Sequence, residues 1–254
     1  MLVLLKKIFY KFFPSAHASA YIRSLYFRNF LKNFSFSEAL DAGCGPGLFT
    51  LYLAEQFPES HICGCNISRE EIEECKKEKL DRKITNASFL QSNLLTLGDK
   101  EKYDFIFSID VLEHIRGNRT VIENLYNALR TNGTLYLAMP FEPGHKFIFS
   151  RNRHIKEYIN WAKIEHMGDQ YSLDELSNLL EEIGFKIITK KYTFGFFGKL
   201  AWELDMITEN CISVKHIIQP FIFFFGFLDT ICKNKPGSYG VLVIGEKNNL
   251  YVGN

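Results

Sequence analysis

The chain has 254 residues, 46% of them hydrophobic, and a formal charge of +1. That is ample apolar material for a core in one large domain, or one domain with a small cap. The near-neutral balance gives no argument for nucleic acid, and six cysteines without a paired framework read as reduced core thiols of a cytosolic protein, not as a disulfide scaffold or zinc site.

Residues 1–33 hold Lys6, Lys7, Lys11, Arg23, Arg28 and Lys32 and no acid; the first acid is Glu38. Leu2, Leu4, Leu5, Ile8, Phe9, Phe12 and Phe13 interleave with the lysines. A signal peptide needs an uninterrupted apolar core, which these lysines deny it, and "SAHASA" is a poor cleavage site. Two readings stand: a basic amphipathic helix lying on a membrane, or a helix packed on the domain with its basic face in water.

Further along, strands and helices alternate. Residues 38–42 read as a strand and 48–57 as a helix, with Gly43, Gly45 and Gly47 between them. A strand at 61–66 precedes a helix opened by Ser68 and Glu71 in capping-box spacing. Strands are expected at 88–91 and 103–109. Val121, Ile122, Leu125, Ala128 and Leu129 give a helix of period 3.6, ended by Asn132-Gly133 and followed by a strand at 134–139. Ser172 and Glu175 form a second capping box, opening a helix with Leu176, Leu179, Leu180 and Ile183 on one face, stopped by Gly184. Strands at 185–192 and 239–245 complete the pattern. Between them lies "IIQPFIFFFGFL" at 217–228. Twelve helical residues reach ~18 Å against the ~30 Å of a bilayer core, and Pro220 and Gly226 interrupt the run. It is therefore expected to be a core or cap element, or a surface that dips into lipid, and not a spanning helix. Strand–helix alternation of this length means a parallel sheet covered on both faces, with ligands bound outside the carboxyl ends of its strands.

The glycines sit at such an end. A dinucleotide fingerprint would need a third glycine where Leu48 stands, and a phosphate loop would need a lysine that is absent. The loop wants close backbone approach without strong evidence for phosphate.

"LDAGCGPG" at 40–47 resembles the first motif of class I S-adenosylmethionine-dependent methyltransferases. "GCNIS" at 64–68, "FLQSNLLTL" at 89–97, "YDFIFSIDVLEHI" at 103–115 and "ALRTNGTLYLAMP" at 128–140 resemble that family's later segments in order and spacing. "DVLEHI" is similar to the branch that includes ubiquinone-biosynthesis O-methyltransferases. The resemblance implies a Rossmann-like three-layer α/β fold: a mostly parallel seven-stranded sheet, helices on both faces, and a helical cap. It implies domains at 1–37 (N-terminal helical cap, membrane-facing in one reading) and 38–247 (methyltransferase domain), with a cap insert at 141–171 and an apolar helical insert at 195–232.

The implied cofactor is S-adenosylmethionine, leaving as S-adenosylhomocysteine, and no metal is implied. By resemblance Gly43, Cys44, Gly45 and Gly47 let the backbone approach its methionine portion, and Asp41 faces the ammonium. Asn66 holds the ribose hydroxyls, Asn93 meets the adenine amino group, Ile109 and Asp110 line the methionine end, and Ile67 and Leu94 are further cofactor-binding residues. Asn66 and Asn93 stand where the family usually has aspartate. Neutral hydrogen bonds are worth ~0.5–1.5 kcal/mol against ~1.5–3 for charge-assisted ones, so each Asn weakens binding by about 5-fold. On this reading Asn66→Asp leaves affinity equal or tighter.

Methyl transfer needs the nucleophile held in line, and a protonated one also gains from a base near neutral pKa. His114, beside the expected methyl position, is the candidate base. His145, His154, His166 and Tyr171, from the insert, are candidates for acceptor contact. Twenty-four phenylalanines fill either an ordinary core or an apolar pocket or membrane surface. The expected activity is methyl transfer to an oxygen or nitrogen of a small, lipophilic acceptor, in the cytoplasm or at a membrane surface, with oligomeric state open. The alternatives are a peptide or protein N-methyltransferase, a non-catalytic cofactor-binding subunit, and, more distantly, an NAD-dependent oxidoreductase.

Overall fold

A computed structural model describes residues 17–141 and 146–248. In chain order the elements are α1 (Ala18–Leu31), β1 (Glu38–Ala42), α2 (Leu48–Gln56), β2 (His61–Asn66), α3 (Arg69–Asp81), β3 (Ala87–Gln91), β4 (Tyr103–Ile109), α4 (Asn118–Ala128), β5 (Leu129–Pro140), α5 (Arg153–Glu165), α6 (Leu173–Ile183), β6 (Phe185–Thr193), α7 (Phe196–Thr208), α8 (Ile212–Ile231) and β7 (Gly240–Lys247). Short 3-10 turns at Leu94–Thr96 and Leu112–His114 follow β3 and β4.

Seven strands form one sheet in the order β3-β2-β1-β4-β5-β7-β6, mostly parallel with one antiparallel hairpin. β1 lies between β2 and β4, pairing Asp41 with both Gly64 and Phe107. The strand order reverses there, so the crevice outside the carboxyl ends opens between those strands. Leu40, Ile62, Cys65, Phe105, Phe107 and Leu135 are wholly buried. Strands buried on both faces carry continuous apolar runs, which is why β4 reads YDFIFSI.

The described residues divide into two compact units, 17–34 with 141, 146–165 and 192–240, and 35–140 with 166–191 and 241–248. The second holds the sheet. In the first, α1, α5, α7 and α8 pack around buried carboxylates. Asp229 is wholly buried. Its Oδ1 accepts from Gly195 N–H (2.8 Å) and Gly198 N–H (3.0 Å), capping α7, while Oδ2 accepts from Phe194 N–H (2.9 Å) and Tyr26 O–H (2.9 Å).

Several expectations need correction. Asn132-Gly133 does not end a helix: α4 stops at Ala128 and both residues lie within β5, Asn132 at φ +62°. The pairing slips there, from Tyr103 opposite Leu129 to Phe105 opposite Thr134. The turn chemistry was real, and it is used as a bulge. The apolar run is not limited to twelve residues. α8 runs twenty, through Pro220 and Gly226, about 30 Å of helix, so by length and composition it could cross a bilayer. Cys44, Cys63, Cys65 and Cys75 are buried thiols, but Cys211 and Cys232 are exposed. Arg23 is not in water: it is buried in α1, donates to Thr193 Oγ1 (3.1 Å) and lies 4.7 Å over the Phe194 ring. The basic segment at 1–16 lies outside the described residues.

Candidate functional site

A cleft of about 480 Å³ opens at the carboxyl ends of the central strands, within the sheet unit. Its floor is the glycine loop. The N–H groups of Gly43 and Cys44 both donate to the Cys65 carbonyl, at 3.0 and 2.9 Å, which ties the loop to the end of β2. The three glycines serve different ends. Gly43 has φ +90°, and a Cβ there would meet both γ-carbons of Val111 at 2.5 Å. Gly47, at φ +75°, caps α2, and a Cβ would meet Cys75 Sγ at 2.8 Å. Gly45 also has positive φ, but a Cβ there meets nothing within 4 Å. The protein's own packing demands the outer two. The middle one faces open space in the cleft, where a ligand can approach the backbone.

Asp41 sits behind this loop and does not line the cleft. It is buried, accepts from the Thr50 hydroxyl (2.6 Å), and burial pushes its carboxyl up to about 7, partly offset by that bond. Cys44 and Cys75 both aim their thiols at the Gly45 carbonyl, at 3.7 and 3.3 Å.

Asn66 and Ile67, at the end of β2, and Asn93 and Leu94, after β3, line the cleft. Asn66 accepts from Ile67 N–H (2.9 Å) and donates its amide NH2 to Glu71. Glu71 is itself a cleft residue that sequence reasoning placed only as a helix cap. Ser68 does accept from Glu71 N–H (3.2 Å), but the Glu71 carboxylate turns to Asn66 instead of completing the capping box. The carboxylate missing at position 66 is thus present five residues on. Asn93 accepts from Leu95 N–H (3.0 Å), which leaves its NH2 and one lone pair of Oδ1 for a ligand.

Across the cleft, Ile109 ends β4, half-buried and paired with Ala138, and Asp110 follows at φ +54°, its N–H bonded to Ala138 O (2.9 Å). Short polar residues tolerate that left-handed conformation best. His114 closes the next 3-10 turn and lines the cleft, its Nε2 3.9 Å from Oε1 of the buried Glu113. Its ring meets that of His166 edge-on, centroids 5.0 Å apart. Gly168 holds that contact together. Its N–H donates to Glu113 O (2.8 Å), and a Cβ on it would collide with Leu112 O. The ligand atoms of Glu113, His114 and His166 lie within 4.8 Å of one another. Two imidazoles and a carboxylate suit a divalent cation, a grouping that the sequence reading, which expected no metal, did not assemble.

Tyr171 donates to Asn118 Oδ1 (2.8 Å), and Asn118 in turn braces Leu112 O and Asp169 O, so Tyr171 supports the turn that carries His114. His154 belongs to the helical unit, on α5, with Nδ1 3.4 Å from Glu157. His145 lies outside the described residues. Arg116 and Met167 also line the cleft and were missed, since an arginine in a loop and a lone methionine carry no periodic signal.

Comparison with known proteins bears on what this cleft is. A family model described as a methyltransferase domain matches residues 15–190. Among curated relatives, (S)-coclaurine N-methyltransferase of Papaver somniferum is 26% identical over 98 residues, 39% of this chain and 28% of that protein. Malonyl-[acyl-carrier protein] O-methyltransferase of Priestia megaterium is 26% identical over 144 residues, 56% of this chain and 52% of that protein. The chain thus spans about a quarter to a half of the length of these two relatives. In structure it is similar to phosphoethanolamine N-methyltransferase 2 of Haemonchus contortus in complex with S-adenosyl-L-methionine, with a TM-score of 0.66 and 15% identity over 91% of this chain and 56% of that one, a likeness of fold. Because the family model covers well over half of the residues, and its span includes the glycine loop and the turn after β4, the chain belongs to the methyltransferase-domain family.

Proposed function

We propose that the cleft binds S-adenosylmethionine and that the protein transfers its methyl group to an oxygen or nitrogen of a small, lipophilic organic acceptor. The observation that carries this is the open space over Gly45, flanked by the α2 N-terminus on one side and the Asn66–Glu71 pair on the other. A helix N-terminus favours the ligand's carboxylate. Glu71 accepts from ribose hydroxyls in place of an aspartate at position 66. Ile67 and Leu94 offer apolar surface to a flat ring. Asn93 offers its NH2 to a ring nitrogen of adenine and the second lone pair of its Oδ1 to the amino group. The names of the relatives, an N- and an O-methyltransferase of small or carrier-bound acceptors, support the acceptor class. The six thiols, none in a disulfide, support a reducing compartment, the cytoplasm.

When bound, the cofactor supplies an electrophilic methyl on a sulfonium. The chain's part is to hold an acceptor in line and take its proton. His114, which lines the cleft, is the group that takes the proton, and its Nε2 lies 3.9 Å from Oε1 of Glu113. A second reading rests on the clustering of Glu113, His114 and His166: the three hold a divalent cation that binds the acceptor oxygen. A chelator separates them, since turnover survives chelation if His114 is a base and falls, recovering with added cation, if it is a ligand.

Titration calorimetry tests the binding reading: S-adenosylhomocysteine binds and NAD does not. NAD binding without a response to S-adenosylhomocysteine would overturn it in favour of an oxidoreductase. Binding without turnover on any acceptor would leave the non-catalytic subunit, and turnover on a peptide the N-methyltransferase of that class.

Glu71 also reverses one expectation. Asn66→Asp would set two carboxylates against each other, so affinity for S-adenosylhomocysteine should fall, by ~5–10-fold for a like-charge contact at this range. The double variant N66D/E71Q removes the repulsion and should recover most of that loss. Affinity for N66D equal to the wild type would show that Glu71 swings clear of the site.

A further inference from the structure

We propose that the outward face of α8, together with a lysine-lined cleft beside α7, forms one docking surface for an anionic lipid bilayer. Val214, Ile217, Phe221, Phe224, Phe227 and Ile231 are each between 40% and 71% exposed. Their three- and four-residue spacing sets them along a single stripe of the helix, about 26 Å long. A surface helix ordinarily turns polar residues outward. The only acid in α8, Asp229, is buried on the opposite side. Phe196, 62% exposed in the first turn of α7, adds to the apolar surface of the same unit. Patches of this kind mark interaction sites.

The helix is pinned on its other side and so lies on a bilayer without crossing it. Ile222 is buried, Gly226 leaves room for Tyr21, a Cβ there falling 3.0 Å from its ring, and Asp229 caps α7. Crossing would tear the Asp229 carboxylate from its four donors and bury it in hydrocarbon.

Charge selects the occupant. A cleft of about 300 Å³ runs between the first turn of α7 and residues 232–238, lined by Phe196, Lys199, Lys233 and Lys235 and by no acid. Lys233 and Lys235, with Lys199 held against the Gly237 carbonyl (3.3 Å) and the exposed Phe196 beside them, match a phosphate headgroup with its acyl chains alongside. The described chain begins near the other end of α8: Ala18 N–H donates to Asp205 (2.8 Å), and Asp205 also pairs with Lys215 in the first turn of α8 (3.1 Å). The sixteen residues before that point carry three lysines and no acid. As a cover for the stripe, that segment would add positive charge to positive charge, and so would a second copy of the chain. Anionic lipid neutralises both.

The test is co-sedimentation of the full chain with vesicles of phosphatidylcholine, with and without phosphatidylserine. Binding should be at least ~10-fold tighter with phosphatidylserine at low salt and should weaken as salt rises. The double variant F221S/F224S alters two exposed side chains and should lose ~10-fold in vesicle binding, melting temperature and S-adenosylhomocysteine affinity unchanged. K233E/K235E should abolish the preference for phosphatidylserine. Failure of the wild type to sediment with phosphatidylserine vesicles at low salt would overturn the proposal. So would F221S/F224S binding as the wild type does. A concentration-dependent dimer that F221S/F224S dissolves, with no vesicle binding, would give the stripe to a second copy instead. Cofactor titration is read separately, so a negative result here leaves the methyltransferase reading standing.

Discussion

His114→Ala lowers turnover by ~10²–10⁴-fold and leaves cofactor affinity nearly unchanged, the usual worth of a positioned base. The expectation rests on where the ring is held. The 3-10 turn Leu112–His114 is braced from below by Asn118, which bonds Leu112 O (3.2 Å), and from the side by Gly168 N–H on Glu113 O (2.8 Å). The ring is thus fixed at the cleft, against His166 and 3.9 Å from the Glu113 carboxylate. His114→Asn should be as slow, because an amide takes no proton. If the ring is only structural, the loss appears as a lower melting temperature and weaker cofactor binding, with turnover per bound cofactor intact. If positioning alone drives the reaction, neither variant loses more than ~10-fold, the effect of about 1.4 kcal/mol. His166→Ala discriminates further. It costs as much as His114→Ala where the pair ligates a cation, and much less where His114 is the base. Turnover within ~3-fold of wild type for His114→Ala, under 1 kcal/mol on the barrier, would remove it from the mechanism.

The sheet was legible because its signal is local. Buried parallel strands read as mainly apolar runs, and β2 and β4 do. The Ser172–Glu175 capping box and Gly184 at φ +118° bound α6 as the sequence implies, because both are chemical demands of a helix end. Asn132-Gly133 misled for a related reason: the pair announces a sharp bend, and whether the bend ends a helix or makes a bulge is decided by pairing with β4, which is not local. Pro220 misled in the opposite sense, since packing of α8 against its neighbours holds the helix through a proline that would break an isolated one.

The cleft was legible at its glycines and at "DVLEHI" and illegible at Glu71. Counting from motifs puts a residue type at a position, and the missing carboxylate at 66 therefore read as a weakness. Three dimensions supply it from the first turn of α3, where Glu71 already had an adequate local explanation as a cap. His166 stood out as a candidate, but its pairing with His114, and Gly168 beside it, were hidden for a plainer reason: both stand more than fifty residues from Glu113 and His114, in a stretch without periodicity, and only the fold sets them side by side.

Gly43→Ala and Gly45→Ala should fail in different ways, although the sequence presents the two glycines as equals. At Gly43 the left-handed backbone costs about 1–2 kcal/mol with a side chain. The new methyl would also sit 2.5 Å from both γ-carbons of Val111, and overpacking of that kind costs about 1–3 kcal/mol more. The expected loss of ~2–5 kcal/mol is a large share of a stability of about 5–15, so melting should drop steeply, and ligand binding should be lost at the temperature where the variant unfolds. Val111→Ala in the same chain removes the clashing carbons and should return the overpacking part but not the backbone part, a coupling read by a double-mutant cycle. At Gly45 a methyl meets nothing of the protein, so only the backbone cost of about 1–2 kcal/mol applies and the chain stays folded. The space it fills is the ligand's, and S-adenosylhomocysteine should bind at least ~10-fold more weakly, a loss of about 1.4 kcal/mol. If Gly45→Ala binds S-adenosylhomocysteine as tightly as wild type, the ligand does not seat on that backbone. The middle glycine would then serve the loop's shape alone, as its neighbours do.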